Sequence, residues 1–256
     1  MFRKLIFVML IGCLLSVFVT GVPALAADPR PVIIDTDMVT DDWMAILLTF
    51  KNPDFAVKAI TVTGTGFAYC DSGTRIALGL VALANKGDIP VSCWRDQPLF
   101  GENAPPAEWR TTMEVADSLK LPEGGKASDM NAVDLFTSTL EASTEKVTVL
   151  ALGPLTNIGA ALNAKPALAE KIEMIYIMGG AVDVPGSGVS DANPPGSASS
   201  AKNTSAEWNI YSDPYAARLV FESGAPITLV PLDATNAAAI TPVWMLNERT
   251  AQGKTG

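Results

Sequence analysis

The stretch Pro31-Val32-Ile33-Ile34-Asp35-Thr36-Asp37-Met38-Val39-Thr40-Asp41-Asp42 decides how this chain folds, because an apolar run leads directly into four aspartates. The apolar half is typical of a buried strand, and the run Trp43–Phe50 that follows is typical of a buried helix. Two like charges about 4 Å apart repel each other by roughly 4 kcal/mol at an effective dielectric constant near 20. Four carboxylates in one turn therefore need a cation, protons or contact with water. Ca²⁺ and Mg²⁺ are the cations that prefer such oxygens.

Helix capping is the alternative interpretation for two of these aspartates. Thr40 has the residue type of an N-cap, and the acidic side chains of Asp41 and Asp42 would interact favourably with the helix dipole in a first turn. Asp35 and Asp37 gain nothing comparable at the end of a strand. We therefore interpret the cluster as a polar functional site.

Residues 1–26 have the pattern of a secretory signal peptide, with two basic residues, an apolar stretch and the cleavage motif Ala24-Leu25-Ala26. A membrane anchor and a lipoprotein signal at Cys13 are the alternatives. The small residues of the cleavage motif and the apolar sequence after Cys13 favour simple export. The sequence thus predicts a periplasmic or secreted protein that folds over residues 27–256 and has no further membrane span.

Composition excludes several classes of function. The chain has 27 acidic and 18 basic residues, a net charge of −9, which argues against binding a nucleic-acid polymer. It has no histidine, which excludes Ser-His-Asp and Cys-His catalysis and histidine-ligated zinc. Cys70 and Cys93 follow the leader. An oxidising compartment permits a disulfide between them, but their spacing alone leaves both the bonded and the free state open.

Strand-like and helix-like segments alternate along residues 27–256. This alternation predicts one α/β domain with a mostly parallel, Rossmann-like central sheet and helices on both faces. The predicted strands are Val32–Ile34, Val57–Val62, Val147–Ala151, Ile172–Met178 and Ile227–Pro231. The predicted helices are Asp42–Lys51, Ser72–Asn85, Met130–Ala142, Thr156–Asn163, Pro214–Glu222 and one from Pro242 onward.

Short turns or polar residues follow the predicted strands: Gly64-Thr65-Gly66, Leu152-Gly153-Pro154, Gly179-Gly180 and Asp233. Ligands bind at the carboxyl ends of strands in such sheets. We therefore expect these turns to meet the aspartates at one site.

Two longer segments interrupt the alternation. Asp96–Ser128 is predicted to be an excursion packed on the surface, and Asp183–Ser205 is either a functional lid or a disordered loop.

Five motifs, in order, make the chain resemble the inosine-uridine-preferring nucleoside hydrolases over essentially all of residues 27–256. They are Asp35–Asp42, Leu152–Asn157, Ile177–Ala181, Ala206–Ile210 with Asp213-Pro214, and Pro231–Thr235. The resemblance implies the nucleoside hydrolase fold and a small-molecule nucleoside substrate. It implies calcium-dependent hydrolysis of the N-glycosidic bond of ribonucleosides to ribose and free base. It also allows a homo-oligomer.

The resemblance assigns metal binding to the first motif. It implies that Asp37 and Asp42 bind a Ca²⁺, with Asp42 bidentate, that the Leu152 carbonyl adds an oxygen, and that Asp35 supports these ligands. Asp37 would also accept a proton from a calcium-bound water. Since Ca²⁺ takes about 6–8 oxygens, positions would remain for that water and a vicinal diol.

The resemblance assigns substrate binding to other positions. Asp41 would hold the ribose hydroxyls, and Asp41 and Asn209 would join Asp37 as catalytic residues. The remaining implied contacts to the substrate are Met178 beside the sugar, Trp208 as an aromatic face, Glu207 and Asn209 on the sugar, and Asn203 at the 5′-hydroxyl.

The chain departs from the family pattern at several positions. Met38-Val39 replaces a common Pro-Gly, the asparagine expected after the second strand is missing from Gly64-Thr65-Gly66, and Asn236 replaces a frequent histidine. Family members also continue beyond the point matching Gly256, to a further aspartate ligand often preceded by a histidine acid. We therefore interpret the chain as truncated at its C-terminus, and we expect weakened metal affinity and turnover.

Two other functions remain open from the sequence. The first is a non-catalytic, exported nucleoside- or ribose-binding remnant of the same fold. The second is a magnesium-dependent phosphatase resembling the haloacid dehalogenases, because Asp35-Thr36-Asp37-Met38-Val39 fits their strand-end motif. Asp41 and Asp42 have no place in that motif.

Overall fold

The computed structural model describes residues 28–114, 120–186, 203 and 205–238. The strands are β1 Arg30–Thr36, β2 Phe55–Val62, β3 Val91–Cys93, β4 Val147–Ala151, β5 Ile172–Met178 and β6 Ile227–Val230. The α-helices are α1 Thr40–Lys51, α2 Cys70–Leu83, α3 Ala107–Glu114, α4 Ala132–Ala142, α5 Thr156–Ala164, α6 Trp208–Ser212, α7 Pro214–Phe221 and α8 Leu232–Thr235. Short 3₁₀ helices cover Pro166–Lys171 and Asn236–Ala238.

The six strands form one sheet in the order β3-β2-β1-β4-β5-β6, and every neighbouring pair is parallel. The chain builds outward from β1 to β3 and then returns to place β4 on the other side of β1. This reversal opens a crevice beyond the carboxyl ends of β1 and β4, where such sheets bind ligands. The predicted α/β fold is confirmed.

Helices cover both faces of the sheet. Ile33 of β1 packs in a core with Phe136 of α4 and Ile158 of α5. Its neighbour Ile34 packs in a second core with Ile46 of α1. Successive side chains of a strand point to opposite faces, so the two cores lie on opposite sides of β1.

The first strand is the centre of the molecule. Val32, Ile33 and Ile34 are buried, and β1 pairs with β2 on one side and β4 on the other. Burying each such side chain stabilises the fold by about 1.5–3 kcal/mol. The strand extends from Arg30 to Thr36, beyond the predicted Val32–Ile34, so Asp35 lies inside the strand rather than in the turn after it.

The first helix begins earlier than predicted. Thr40 is its first residue and Val39 is the N-cap, so the predicted capping role of Thr40 is wrong. The apolar side chain of Val39 cannot cap, and no side chain hydrogen bond is made there. Asp41 and Asp42 do lie in the first turn, as predicted.

Several elements were not predicted. Strand β3 has three residues, helix α6 has five and helix α8 has four, lengths too short for a periodic pattern. The predicted surface excursion contains α3, which buries Arg110 and Met113. The predicted leader, the predicted helix from Pro242 and most of the predicted lid lie outside the described residues.

A disulfide joins Cys70, the first residue of α2, to Cys93, the last residue of β3. The two Cα atoms are 5.5 Å apart. This bond answers the question that the cysteine spacing left open. None of the helices in the described part of the chain is long and apolar enough to cross a bilayer.

Candidate functional site

Asp37 lies just after β1, and two glycine turns pack against it. A Cβ atom at Gly66, after β2, would collide with the Asp37 carboxylate. A Cβ atom at Gly153, after β4, would lie 2.7 Å from the Asp37 amide nitrogen. Both turns therefore need glycine to approach Asp37 so closely. The predicted convergence of strand-end turns on the aspartates is confirmed for these two.

The Asp37 carboxylate is buried and only partly satisfied. Its Oδ2 accepts a hydrogen bond from the Phe67 amide at 2.9 Å. Its Oδ1 is buried and has no partner among the described residues. Burial raises the pKa of Asp37 to about 6, against the lowering effect of the Phe67 amide. A buried carboxylate oxygen without a partner is costly, so this atom fits a ligand that the protein itself does not supply.

Asp42 returns from the first turn of α1 to meet Asp37. Its Oδ2 accepts hydrogen bonds from the Thr36 hydroxyl at 2.5 Å and from the Met38 amide at 3.1 Å. Met38 makes its bond from the left-handed region, at φ 61°. The carboxyls of Asp37 and Asp42 lie next to each other, and burial followed by the charge of Asp37 raises the pKa of Asp42 well above its usual range. Two carboxyls so close must share a proton or a cation.

Asp35 lies near this pair, inside β1. Its Oδ2 accepts hydrogen bonds from the Thr61 hydroxyl at 2.6 Å and from the Asn157 side chain at 2.9 Å, while its buried Oδ1 has no partner among the described residues. Burial raises the pKa of Asp35 to about 7 despite these hydrogen bonds. Asp41, by contrast, is exposed, although its charge raises the pKa values of Asp37 and Asp42.

Glu207 and helix α6 lie beyond the ends of β4 and β5. The Glu207 carboxylate caps α6, accepting hydrogen bonds from the amides of Asn209 at 2.9 Å and Ile210 at 3.2 Å. It also accepts one from the Gly180 amide at 3.2 Å. Burial raises the pKa of Glu207 although these amides oppose the shift. The carboxylate is therefore fixed in place by the backbone on both sides.

Asn209 joins the ends of two strands. Its side-chain Nδ2 donates to the carbonyls of Leu152 at 2.8 Å and Met178 at 3.0 Å, and it lies 3.4 Å from the Met178 sulfur. A carbonyl oxygen has two lone pairs, so the Leu152 carbonyl keeps one for another ligand.

Aromatic side chains connect α6 to α3, which lies in the predicted surface segment Asp96–Ser128. Trp208 is 8% exposed and meets Trp109 edge to face, with ring centroids 5.2 Å apart. Trp109 in turn stacks on Phe67 at 5.2 Å. Sequence reasoning missed both Phe67 and Trp109. The one available signal was a tryptophan followed by a cation, Trp109-Arg110, in a segment otherwise typical of a surface loop.

Three other polar residues singled out in the sequence make hydrogen bonds with backbone groups. The Asn203 side chain donates to the Ala206 carbonyl at 2.9 Å and accepts from its amide at 3.0 Å, shaping the approach to Glu207. Asp213 caps α7, and Asp233 accepts hydrogen bonds from two backbone amides after β5. The contacts of Asp233 are thus with the segment after β5.

The donor set fits a hard cation by its chemistry. The Asp37 and Asp42 carboxylates and the Leu152 carbonyl offer only oxygen, and buried oxygen ligands suit Ca²⁺ or Mg²⁺. The buried Oδ1 of Asp37, which has no partner among the described residues, is the observation that supports this fit. Within the described ranges, however, no three His, Cys, Asp or Glu side chains are grouped so that they could hold a metal.

Comparisons with known proteins identify the family of this chain. The family described as inosine-uridine preferring nucleoside hydrolase matches residues 32–256. A pyrimidine-specific ribonucleoside hydrolase, RihA of Escherichia coli O127:H6, is 37% identical over 211 residues, which cover 82% of this chain and 62% of that protein. The chain thus spans less than two thirds of the length of this relative.

Solved structures are similar as well. A plant nucleoside hydrolase, PpNRh1, is 34% identical with a TM-score of 0.68, over 80% of this chain and 60% of that one. The inosine-uridine preferring nucleoside hydrolase of Bacillus anthracis shares the fold at 23% identity, with a TM-score of 0.74 over 88% of this chain and 72% of that one. On the match over residues 32–256, this chain belongs to the inosine-uridine preferring nucleoside hydrolase family.

Proposed function

We propose that this protein hydrolyses the N-glycosidic bond of ribonucleosides, releasing ribose and a free base, with the help of a bound Ca²⁺. The observation that carries this proposal is the buried Asp37 Oδ1, which has no partner within the described part of the chain, at the switch point of the sheet. The relative named as a pyrimidine-specific ribonucleoside hydrolase supports the same class of reaction.

Asp37, Asp42 and the Leu152 carbonyl would hold the ion, with Asp35 behind them. When bound, such an ion makes a nearby water more acidic and binds sugar hydroxyls. Asp37 Oδ1 would accept the proton of the attacking water. The water oxygen then forms a bond to C1′ of the ribose while the bond from C1′ to the base nitrogen breaks.

The leaving base carries away the electron pair of the broken bond and must gain a proton. The 256 residues contain no histidine that could supply it. The sugar passes through an oxocarbenium-like state, as in other glycoside cleavage. The carboxylates of Asp41 and Asp42 would stabilise that positive charge.

The remaining predicted residues would bind the sugar. Glu207 and Asn209 suit this role because backbone groups hold both side chains in fixed positions. Met178 would pack beside the ribose, Trp208 would present an aromatic face, and Asn203 would contact the 5′-hydroxyl. In catalysis, Asp41 and Asn209 would act together with Asp37.

Release of reducing sugar from inosine and uridine, with Ca²⁺ and with EDTA, tests this function. We expect calcium-dependent release that Asp37→Ala abolishes and that Asp88→Asn, at an exposed aspartate, leaves unchanged. Saturable nucleoside binding without release would instead identify the non-catalytic alternative.

The phosphatase alternative fits the structure poorly. Its motif would make Asp35 the nucleophile, yet Asp35 is fully buried inside β1 and bonded to Thr61 and Asn157. A nucleophile must reach its substrate, so phosphate release from an aryl phosphate is not expected.

Export is a further part of the proposal. The leader pattern of residues 1–26 supports it, and the disulfide between Cys70 and Cys93 is of the kind that persists in oxidising compartments. Recovery of the protein from the periplasm or medium, shortened by the leader, would agree with export. Recovery of the full-length chain from the cytoplasm would contradict it.

A further inference from the structure

Arg110 is a buried cation next to the carboxylate cluster. It lies on α3 and is 4% exposed. One guanidinium nitrogen donates to the Gly64 carbonyl, and the guanidinium carbon lies 3.7 Å from the centroid of the Tyr69 ring. Gly64 and Tyr69 lie near the two ends of the connection between β2 and α2. Arg110 therefore holds this connection, residues 63–69, at both ends.

The connection between β2 and α2 is also what holds Asp37. The Phe67 amide donates to Asp37 Oδ2 at 2.9 Å, and the Ala68 amide donates to the Asp37 carbonyl at 3.0 Å. Gly66 packs directly against the carboxylate. A shift of this connection would therefore move the hydrogen-bond donor of Asp37.

Helix α3 and the connection between β2 and α2 are closely packed. A Cβ atom at Gly64 would lie 2.8 Å from the Arg95 carbonyl oxygen, so Gly64 is closely packed. Trp109, the neighbour of Arg110, stacks on the Phe67 ring. Helix α3 thus contacts the connection at its start, in its middle and at its end.

Arginine is suited to this position in a way that lysine is not. A planar guanidinium can donate to a carbonyl and stack on an aromatic ring at the same time, whereas an ammonium group is a compact, strongly hydrated charge. Burying a cation is costly unless neighbouring groups compensate it. The carboxylates of Asp37, Asp96 and Glu114 contribute favourable charge at Arg110.

We propose that Arg110 is a positioning residue for Asp37, acting through the Gly64 carbonyl and the Tyr69 ring to fix the Phe67 amide. The consequence for turnover rests on the proposed function, because Asp37 is there the acceptor of the water proton. The consequence for the connection itself does not depend on any activity.

The test compares Arg110→Met and Arg110→Lys with Glu108→Gln, a control at an exposed position of the same helix. We expect Arg110→Met to lower kcat about tenfold to a hundredfold with KM changed less than about twofold, since small misplacements of a reacting group have effects of that size. Arg110→Lys should fall between Arg110→Met and the wild type.

Amide hydrogen exchange provides a readout without activity. We expect Arg110→Met to speed exchange at Phe67 and Ala68 while amides in α4 keep wild-type rates. If the wild type releases no sugar, the proposed function fails and exchange alone decides the inference about Arg110. Wild-type exchange at Phe67 and Ala68 in Arg110→Met would overturn it. A kcat of Arg110→Met equal to that of Glu108→Gln would contradict the consequence for turnover.

Discussion

The two walls of the candidate site differ in how completely their polar atoms are satisfied. The carboxylate wall consists of Asp35, Asp37 and Asp42, and the α6 wall consists of Glu207 and Asn209. In the carboxylate wall, two buried oxygens have no partner among the described residues. In the α6 wall, backbone groups of α6 and at or just after the ends of β4 and β5 bond to the two side chains.

This difference separates two uses of a buried polar group. Unsatisfied buried carboxylates reduce stability and must be explained by something that binds them, here the proposed ion and water. Satisfied groups stabilise the fold and present a fixed surface to a substrate. We therefore expect substitutions in the two walls to change stability in opposite directions, although both reduce activity.

The largest expected effect is that of Asp42→Asn on turnover. The change removes a negative charge from the proposed ion site while keeping the size of the side chain. We expect kcat to fall at least about a hundredfold, in the range that loss of a group stabilising the transition state produces. Steady-state kinetics over a series of Ca²⁺ concentrations measure this, with Asp88→Asn as the control. Wild-type kcat and calcium dependence in Asp42→Asn would contradict the proposed role of Asp42 in binding the ion.

Gly66→Ala tests how tightly the turns enclose the carboxylate wall. The added methyl group would collide with the Asp37 carboxylate, and such overpacking destabilises by about 1–3 kcal/mol. Gly87→Ala is the matched control, because a Cβ atom there would meet nothing within 4 Å. Urea unfolding measures the difference. Equal stability of the two variants would mean that Asp37 can move freely.

Glu207→Ala tests the opposite wall. It removes the cap of α6, and loss of an N-cap costs about 0.5–2 kcal/mol. We expect a lower free energy of urea unfolding together with weaker substrate binding, seen as a higher KM. Glu108→Ala, at an exposed position of α3, should leave both quantities unchanged. A stabilising effect of Glu207→Ala would contradict the contrast between the walls.

A further expected effect is a dependence of stability on pH in the metal-free protein. Burial raises the pKa of Asp35 to about 7 and that of Asp37 to about 6, whereas in the unfolded chain these groups titrate near 3.8. The folded state then holds protons that the unfolded state has lost, so the contribution of these groups falls as the pH rises from about 4 to 7. Thermal unfolding in EDTA at several pH values measures it, and Asp37→Asn should flatten the slope. A slope that Asp37→Asn leaves unchanged would contradict the assignment.

Much of the carboxylate wall could be predicted from the sequence, because it is encoded locally. An apolar run, four aspartates and an apolar helix lie within about twenty residues, and the topology brings Gly66 and Gly153 to the same place. The place of Asp35 inside β1 could not be predicted in this way. It depends on Thr61 and Asn157, which come from distant parts of the chain.

The other parts of the site depend on contacts between distant segments. The stack of Phe67 on Trp109 and the bond from Arg110 to Gly64 join residues about forty positions apart, and no periodic pattern predicts such contacts. Asp213 and Asp233 were part of the family motifs, yet Asp233 bonds to backbone amides and Asp213 bonds to backbone amides and to the Thr156 hydroxyl. Motifs therefore identified the family more reliably than they assigned a role to each residue.

Asp37→Asn gives the most direct test of the central claim, which is that the carboxylate wall lowers the stability of the fold because its oxygens are arranged to bind the proposed ion and water. Unfolding and sugar release from uridine would be measured on the same samples, with Ca²⁺ and with EDTA. We predict that the variant unfolds at a higher temperature than the wild type in EDTA, gains no stability from Ca²⁺ and releases no sugar. A variant that is less stable in EDTA, or that releases sugar at the wild-type rate, would contradict the account.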